Sequence, residues 1–206
     1  MLVDLLTVVA VAALAQEMLR EPKAARATGW VAAWYPPAVM MSGQPYAQQL
    51  AMLSLALLAL CLWRGLRRGR LWNFIPAGAA LGLGCLARPS MQSVVLVLIL
   101  VWMVACRRMS PGPQRWTIQR GGPVLLLTTL AFLLPVMAHN AAYGQGWSLS
   151  TNNEKNFFLG NNPYTPNYKT YHIGQRRMDE LDPDARDYQR SFRERPEGRG
   201  AMVREA

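Results

Sequence analysis

The chain has 206 residues, 51% of them hydrophobic and 17% charged, with a formal charge of +10. Its mean hydropathy near zero averages two unlike parts, because no aspartate or glutamate occurs between Glu21 and Glu154. A water-soluble domain needs carboxylates on its surface, so this stretch excludes an ordinary soluble fold. The arginines there sit at the ends of apolar runs, where membrane-orientation signals belong, rather than on one face of a soluble fold. This excludes a nucleic-acid-binding reading.

A membrane-spanning helix needs about twenty mostly apolar residues. Six runs approach that length: 1–19, 27–43, 46–63, 71–87, 91–106 and 122–138. They predict an all-α, multi-pass transmembrane helical bundle of about six helices. The first run carries Asp4 in place of a basic flank and has no small-residue cleavage site, so it is not a secretory signal. It reads as a helix entered partway, and the chain as a fragment. In the second run, Pro36-Pro37 removes backbone donors and predicts a kink or a helix end. In the fourth, Gly78, Gly82 and Gly84 leave room for a close neighbour, Gly78 and Gly82 at small-xxx-small spacing. Cys61, Cys85 and Cys106 lie in or beside apolar runs without metal-like spacing and read as packing residues.

Three basic clusters order these runs. Arg20, Lys23 and Arg26 follow the first. Arg64, Arg67, Arg68 and Arg70 follow the third. Arg107, Arg108, Arg115 and Arg120 follow the fifth. Two runs separate each cluster from the next, so all three fall on one side, the cytoplasmic one by the positive-inside rule. The expected protein has a membrane bundle over residues 1–138 in the inner (plasma) membrane. An extracytoplasmic polar segment over residues 139–206 follows. That segment is rich in turn signals, among them Asn161-Asn162-Pro163, and carries no apolar core of its own.

Arg88 opposes the pattern. It stands alone at the far end of the fourth run, followed by Pro89, on the side that should be poor in arginine. Its planar fork of donors suits a lipid phosphate; the alternative is an arginine snorkelling to the interface.

Several motifs resemble those of one family, in order, over roughly residues 5–164. Trp34-Tyr35-Pro36-Pro37 through Ser42-Gly43 is similar to the tyrosine-proline-proline to serine-glycine segment of C-type-fold membrane glycosyltransferases. That family includes the protein O-mannosyltransferases and the aminoarabinose transferase of lipid A. Leu86-Ala87-Arg88-Pro89-Ser90 resembles its leucine-x-arginine-proline turn. Ser150-Thr151-Asn152-Asn153 and Phe158-Leu159-Gly160-Asn161-Asn162-Pro163 resemble its external serine-threonine-asparagine and glycine-asparagine-asparagine-proline stretches.

The resemblance implies an inverting enzyme that moves a sugar from a polyprenyl-phosphate donor to a glycan, lipid or protein acceptor on the outer face. It also implies an aspartate general base in the first external loop, often with a divalent metal nearby. That loop would lie before Met1, so no residue here takes the base role, no cofactor is assigned and the fragment itself is expected to be inactive. Arg88 would neutralise charge on the leaving phosphate. Asn152, Asn153, Asn161 and Asn162 offer amides to a sugar, or else form turns and caps.

Two positions depart from the pattern. Gln48 stands where relatives commonly carry glutamate, keeping the hydrogen bonding but losing the charge. His139 replaces a common arginine. Both belong with the donor-binding candidates. Gln48 motivates a second reading, a non-catalytic scaffold or lipid-carrier-binding module. A transporter would place several ionisable groups inside the helices, and apart from Asp4 there are none.

Overall fold

The computed structural model describes residues 2–41, 47–144 and 146–150. Among them the protein is all-helical: α1 Leu2–Leu19, α2 Pro22–Ala33, α3 Pro36–Met41, α4 Ala47–Arg68, α5 Phe74–Ala87, α6 Gln92–Arg108 and α7 Pro113–Ala142. Short 3-10 turns, Leu71–Asn73 and Pro89–Met91, lead into α5 and α6. Residues 1–149 make up one compact unit.

Local chemistry sets the helix ends. α1 stops at Arg20: its N–H still makes the helical bond to the Gln16 carbonyl at 3.0 Å, but its left-handed φ of 58° turns the following chain out of the helix. That conformation costs a side-chain-bearing residue about 1–2 kcal/mol. Pro22 then opens α2, where a missing backbone donor costs nothing. α4 ends at Gly69, whose φ of 63° a glycine adopts without strain. Arg88 precedes Pro89 and is extended, φ −143° and ψ 110°, so α5 cannot continue.

The helices alternate in direction. α2 folds back on α1, where Gly29 comes against Ala12. α4 runs parallel to α1: Ala10 packs with Leu53 and Ala56 near one end, and Glu17 binds Arg64 and Arg68 at the other. α5 runs antiparallel to α4, with Phe74 against Gly65 and Gly84 against Ser54. α7 runs parallel to α5, placing Gly121, Leu125 and Phe132 against Phe74, Gly78 and Gly82 in turn. α6 lies on α7, where the Trp102 indole donates to the Ile118 carbonyl at 3.0 Å. Since α1 and α4 point the same way, α2 and α3 carry the chain back between them. Counting α2 with α3 as one, the described helices form six legs of alternating direction.

The core lies between α4, α5 and α7. Leu58, Phe74, Ala77, Leu81, Cys85, Leu125 and Leu133 are buried there, with Cys85 in the packing role its sequence context predicts. The glycines of α5 act as expected. A Cβ at Gly78 would stand 2.5 Å from the Leu125 carbonyl oxygen, and one at Gly82 2.7 Å from Phe132 Cβ. Thr129 adds a cross-helix bond, its hydroxyl shared between the carbonyls of Gly78 at 3.1 Å and Leu125 at 2.9 Å.

The outer surface suits lipid. No residue of α6 is buried, and Leu96, Val97, Leu100 and Val101 are all exposed. In water such a surface would be a liability; against acyl chains it is the expected one, since a helix pairs most of its backbone within itself. α1, α4, α7 and the segment Pro89–Arg108 are long and apolar enough to cross a bilayer, and Leu71–Ala87 is a shorter apolar helix.

In the second predicted run Pro36-Pro37 marks a helix end, one of the two outcomes expected there: two short helices break at Trp34-Tyr35, Pro36 begins α3, and α2 starts at Pro22, ahead of the apolar run. The residue before a proline is biased away from helical geometry, and the Trp34 N–H closes α2 onto the Trp30 carbonyl at 3.0 Å. The sixth also differs. α7 begins at Pro113, nine residues before the apolar run, because Pro113 is a good first helical residue and Arg115 and Arg120 cost a helix little. It continues past residue 138 through His139 to Ala142.

Candidate functional site

The helix directions sort the charged residues to two ends. At one, the C-termini of α1 and α4 meet the N-terminus of α7, gathering Arg20, Arg64, Arg67, Arg68 and Gln114. The carboxylate of Glu17 accepts from Arg64 Nε at 2.9 Å and Arg68 Nη2 at 2.6 Å, while its carbonyl accepts from Arg67 Nη1 at 2.6 Å. The first two basic clusters are thus tied to one end, as their spacing predicts. The third cluster joins them through α7, where Arg120 lies over the Trp116 ring at 4.2 Å.

At the opposite end lie the start of α4, the end of α5 and the end of α7. These carry Gln48, Arg88 and His139, three of the seven candidates named from the sequence. The antiparallel register of α4 and α5 brings the level of Arg88 to the first turn of α4, and the parallel register of α5 and α7 brings it to the last turn of α7. Asp4, in the first turn of α1, shares this end through the parallel register of α1 and α4.

Arg88 is exposed. Its backbone is fully used, the N–H on the Gly84 carbonyl at 2.8 Å and the carbonyl taken by Met91 N–H at 2.9 Å. Its guanidinium makes no ion pair or hydrogen bond among the described residues. Gln48 is half-buried, and His139 is exposed with its ring 4.6 Å from that of Tyr143. Just beyond α7, two residues pack back on this end: Asn140 Nδ2 donates to the Ser148 carbonyl at 2.7 Å, and Leu149 packs against the core. Asn152, Asn153, Asn161 and Asn162 lie outside the described residues.

Chemically, this end presents a cation with its donors uncommitted, a neutral amide and an imidazole, next to an apolar bundle. That combination suits a phosphate attached to a long apolar chain. It supplies no metal site: among the described residues, no three His, Cys, Asp or Glu side chains converge, and no step is routed through a metal.

Sequence reasoning missed a cavity at the basic end. Met18, Arg20, Trp63, Leu66, Arg67, Gln114 and Ile118 line about 480 Å³ there. These residues come from three helices far apart in sequence. The nearest local signal is the arginine at Arg20, where a glycine would end α1 more easily.

The chain matches no curated protein and no solved structure. The sequence profile of one family does match, over residues 1–139, about two thirds of the chain. The chain belongs to the dolichyl-phosphate-mannose-protein mannosyltransferase family.

Proposed function

We propose that this protein transfers a sugar from a polyprenyl-phosphate-linked donor to an acceptor on the extracytoplasmic face of the membrane, with Arg88 as the ligand of the donor phosphate. The observation that carries the reading is the placement of Arg88: a guanidinium without a partner among the described residues, at the end of the bundle away from the basic clusters. Family membership supports glycosyl transfer in general. The positive-inside rule assigns the basic end to the cytoplasm, which puts Arg88 and the polar C-terminal segment outside.

In the reaction, an acceptor hydroxyl oxygen bonds to the anomeric carbon of the sugar. The bond from that carbon to the phosphate oxygen breaks, and its electron pair leaves on the phosphate. The acceptor proton passes to a base, a role no described residue is given. Negative charge grows on the departing phosphate, and a guanidinium fixed by the end of α5 stabilises it more in the transition state than in the bound donor. Gln48 and His139 present donors to the donor headgroup at the same end, and Asn152, Asn153, Asn161 and Asn162 contribute amides for the sugar.

The test is transfer by the native protein reconstituted in lipid vesicles with a polyprenyl-phosphate sugar. Arg88→Ala is expected to abolish transfer while the protein stays folded; unchanged transfer would remove Arg88 from the mechanism. The neutral Gln48 favours one second reading, a module that binds the lipid carrier without turnover. It predicts donor retained by the protein, lost in Arg88→Ala, with no product formed by either.

A further inference from the structure

The cavity at the basic end is remote from Arg88 and plays no part in the proposed transfer. Its walls are of two kinds. Met18, Leu66 and Ile118 are apolar, and the Trp63 ring adds to them. Arg20, Arg67 and Gln114 supply donors. Two further observations point to an anion. Gln114 stands in the first turn of α7, a 30-residue helix whose Gly112 N-cap offers no side-chain acceptor; Pro113 has no N–H and the Trp116 N–H is taken by the Gly112 carbonyl, which leaves the N–H groups of Gln114 and Arg115 without an acceptor inside the helix. Arg20 holds a left-handed backbone, φ 58°, at a position a glycine would fill without strain.

The neighbouring carboxylates do not cancel this field. Glu17 is engaged by Arg64 and Arg68, and Glu21 is exposed at the N-cap of α2. Arg67 spends one donor, Nη1, on the Glu17 carbonyl and keeps the rest of its fork. Four arginines, Arg20, Arg64, Arg67 and Arg68, thus face two carboxylates around the cavity.

We propose that this cavity binds the phosphate headgroup of an anionic phospholipid from the leaflet at the basic end. The guanidinium groups of Arg20 and Arg67 and the amide of Gln114 hold phosphate oxygens, and the apolar wall, with the Trp63 ring, receives the start of the acyl chains. A volume of about 480 Å³ admits a glycerophosphate group, and basic pockets between transmembrane helices are a known form of headgroup site. The ligand chemistry, a phosphate, is shared with free inorganic phosphate. The apolar half of the lining favours the lipid.

The test is native mass spectrometry of the intact protein released from nanodiscs of phosphatidylcholine mixed with phosphatidylglycerol, counting retained lipid. Wild type should retain phosphatidylglycerol over phosphatidylcholine. The double variant Arg20→Gln, Arg67→Gln should lose about thirtyfold of that preference, the size expected for two cations at an anionic surface. The control Arg107→Gln, Arg108→Gln removes equal charge outside the cavity and should keep the preference. Gln114→Leu, which deletes an amide from the cavity wall and leaves both arginines, should weaken retention several-fold even if the double variant fails to fold. Equal losses in the double variant and the control would reduce the effect to diffuse attraction and overturn the site. Displacement of the lipid by inorganic phosphate would overturn the lipid as its occupant.

Discussion

Arg64 Nε donates to Glu17 Oε1 across 47 residues of sequence at 2.9 Å, and this pair fixes the direction of α1 against α4. Two parallel helices that follow one another in the chain need a return leg between them. The pair therefore gives α2 and α3 their role as that leg, although neither is long enough to span a bilayer alone. In a stretch where carboxylates are nearly absent, Glu17 is the counter-ion for two guanidinium groups. Glu17→Ala should lower the unfolding free energy by about 1 kcal/mol, since both arginines are partly exposed and solvent tempers the loss. Equilibrium unfolding in mixed micelles measures this. A variant as stable as wild type would mean that the pair does not tie the helices together.

The α5–α7 contact makes a sharper prediction. A Cβ at Gly78 would stand 2.5 Å from the Leu125 carbonyl oxygen and 2.7 Å from Thr128 Cβ. Backbone lies on the far side, so no flexible side chain can yield. Gly78→Leu should force the helices apart and destabilise the bundle by about 1–3 kcal/mol or more. Gly112→Leu, with nothing within 4 Å of its added Cβ, should change stability by less than about 0.5 kcal/mol. The same unfolding assay compares them, and equal effects would refute the close packing.

Thr129 tests the polar part of that contact. Its hydroxyl is buried and lies within reach of carbonyls on both α5 and α7. Thr129→Val keeps the shape and removes the bond, so the expected loss is about 0.6 kcal/mol, the usual size for such a bond between membrane helices. A loss several times larger would indicate that the carbonyl of Gly78, left without this donor, has no other partner.

The passes were legible in the sequence because lipid imposes a composition on every residue that faces it. The run over 46–63 became α4 and the glycines of α5 became its contact face, both by local pattern. The break at Trp34-Tyr35 was legible as a disturbance at Pro36-Pro37 but not as two helices. Whether a proline bends a helix or begins a new one depends on what accepts the freed carbonyls, which is a tertiary matter. The grouping of Gln48, Arg88 and His139 at one end followed from counting passes, because alternation alone fixes which ends meet. The cavity beside Trp63 did not follow. Met18, Leu66 and Ile118 read as ordinary apolar positions of three separate helices, and only the parallel setting of α1 and α4 brings them to one place. The pairing of Glu17 was equally hidden, since no local spacing links residues 17 and 64.

The proposed orientation is open to a direct measurement. Gly112 sits in the turn between α6 and α7, where an insertion meets open space. Gly198 belongs to the polar C-terminal segment, outside the described residues. Reporter fusions at these two positions should report opposite sides of the membrane, Gly112 cytoplasmic and Gly198 external, because α7 lies between them. Fusions on the same side would break the six-pass alternation, and an external Gly112 would reverse the assignment of Arg88.

Arg88 allows charge and shape to be separated. Its side chain is exposed and makes no bond among the described residues, so Arg88→Ala should leave stability within about 0.5 kcal/mol. The same change should lower kcat by about 10²- to 10³-fold, the usual effect of removing one fixed donor from a developing anion. Arg88→Lys restores a positive charge without the planar fork. It should recover part of kcat, more fully for a role in charge neutralisation than for one in bidentate orientation. An interface arginine that merely snorkels would give a different pattern: both variants would transfer sugar at the wild-type rate, and only their depth in the bilayer would change.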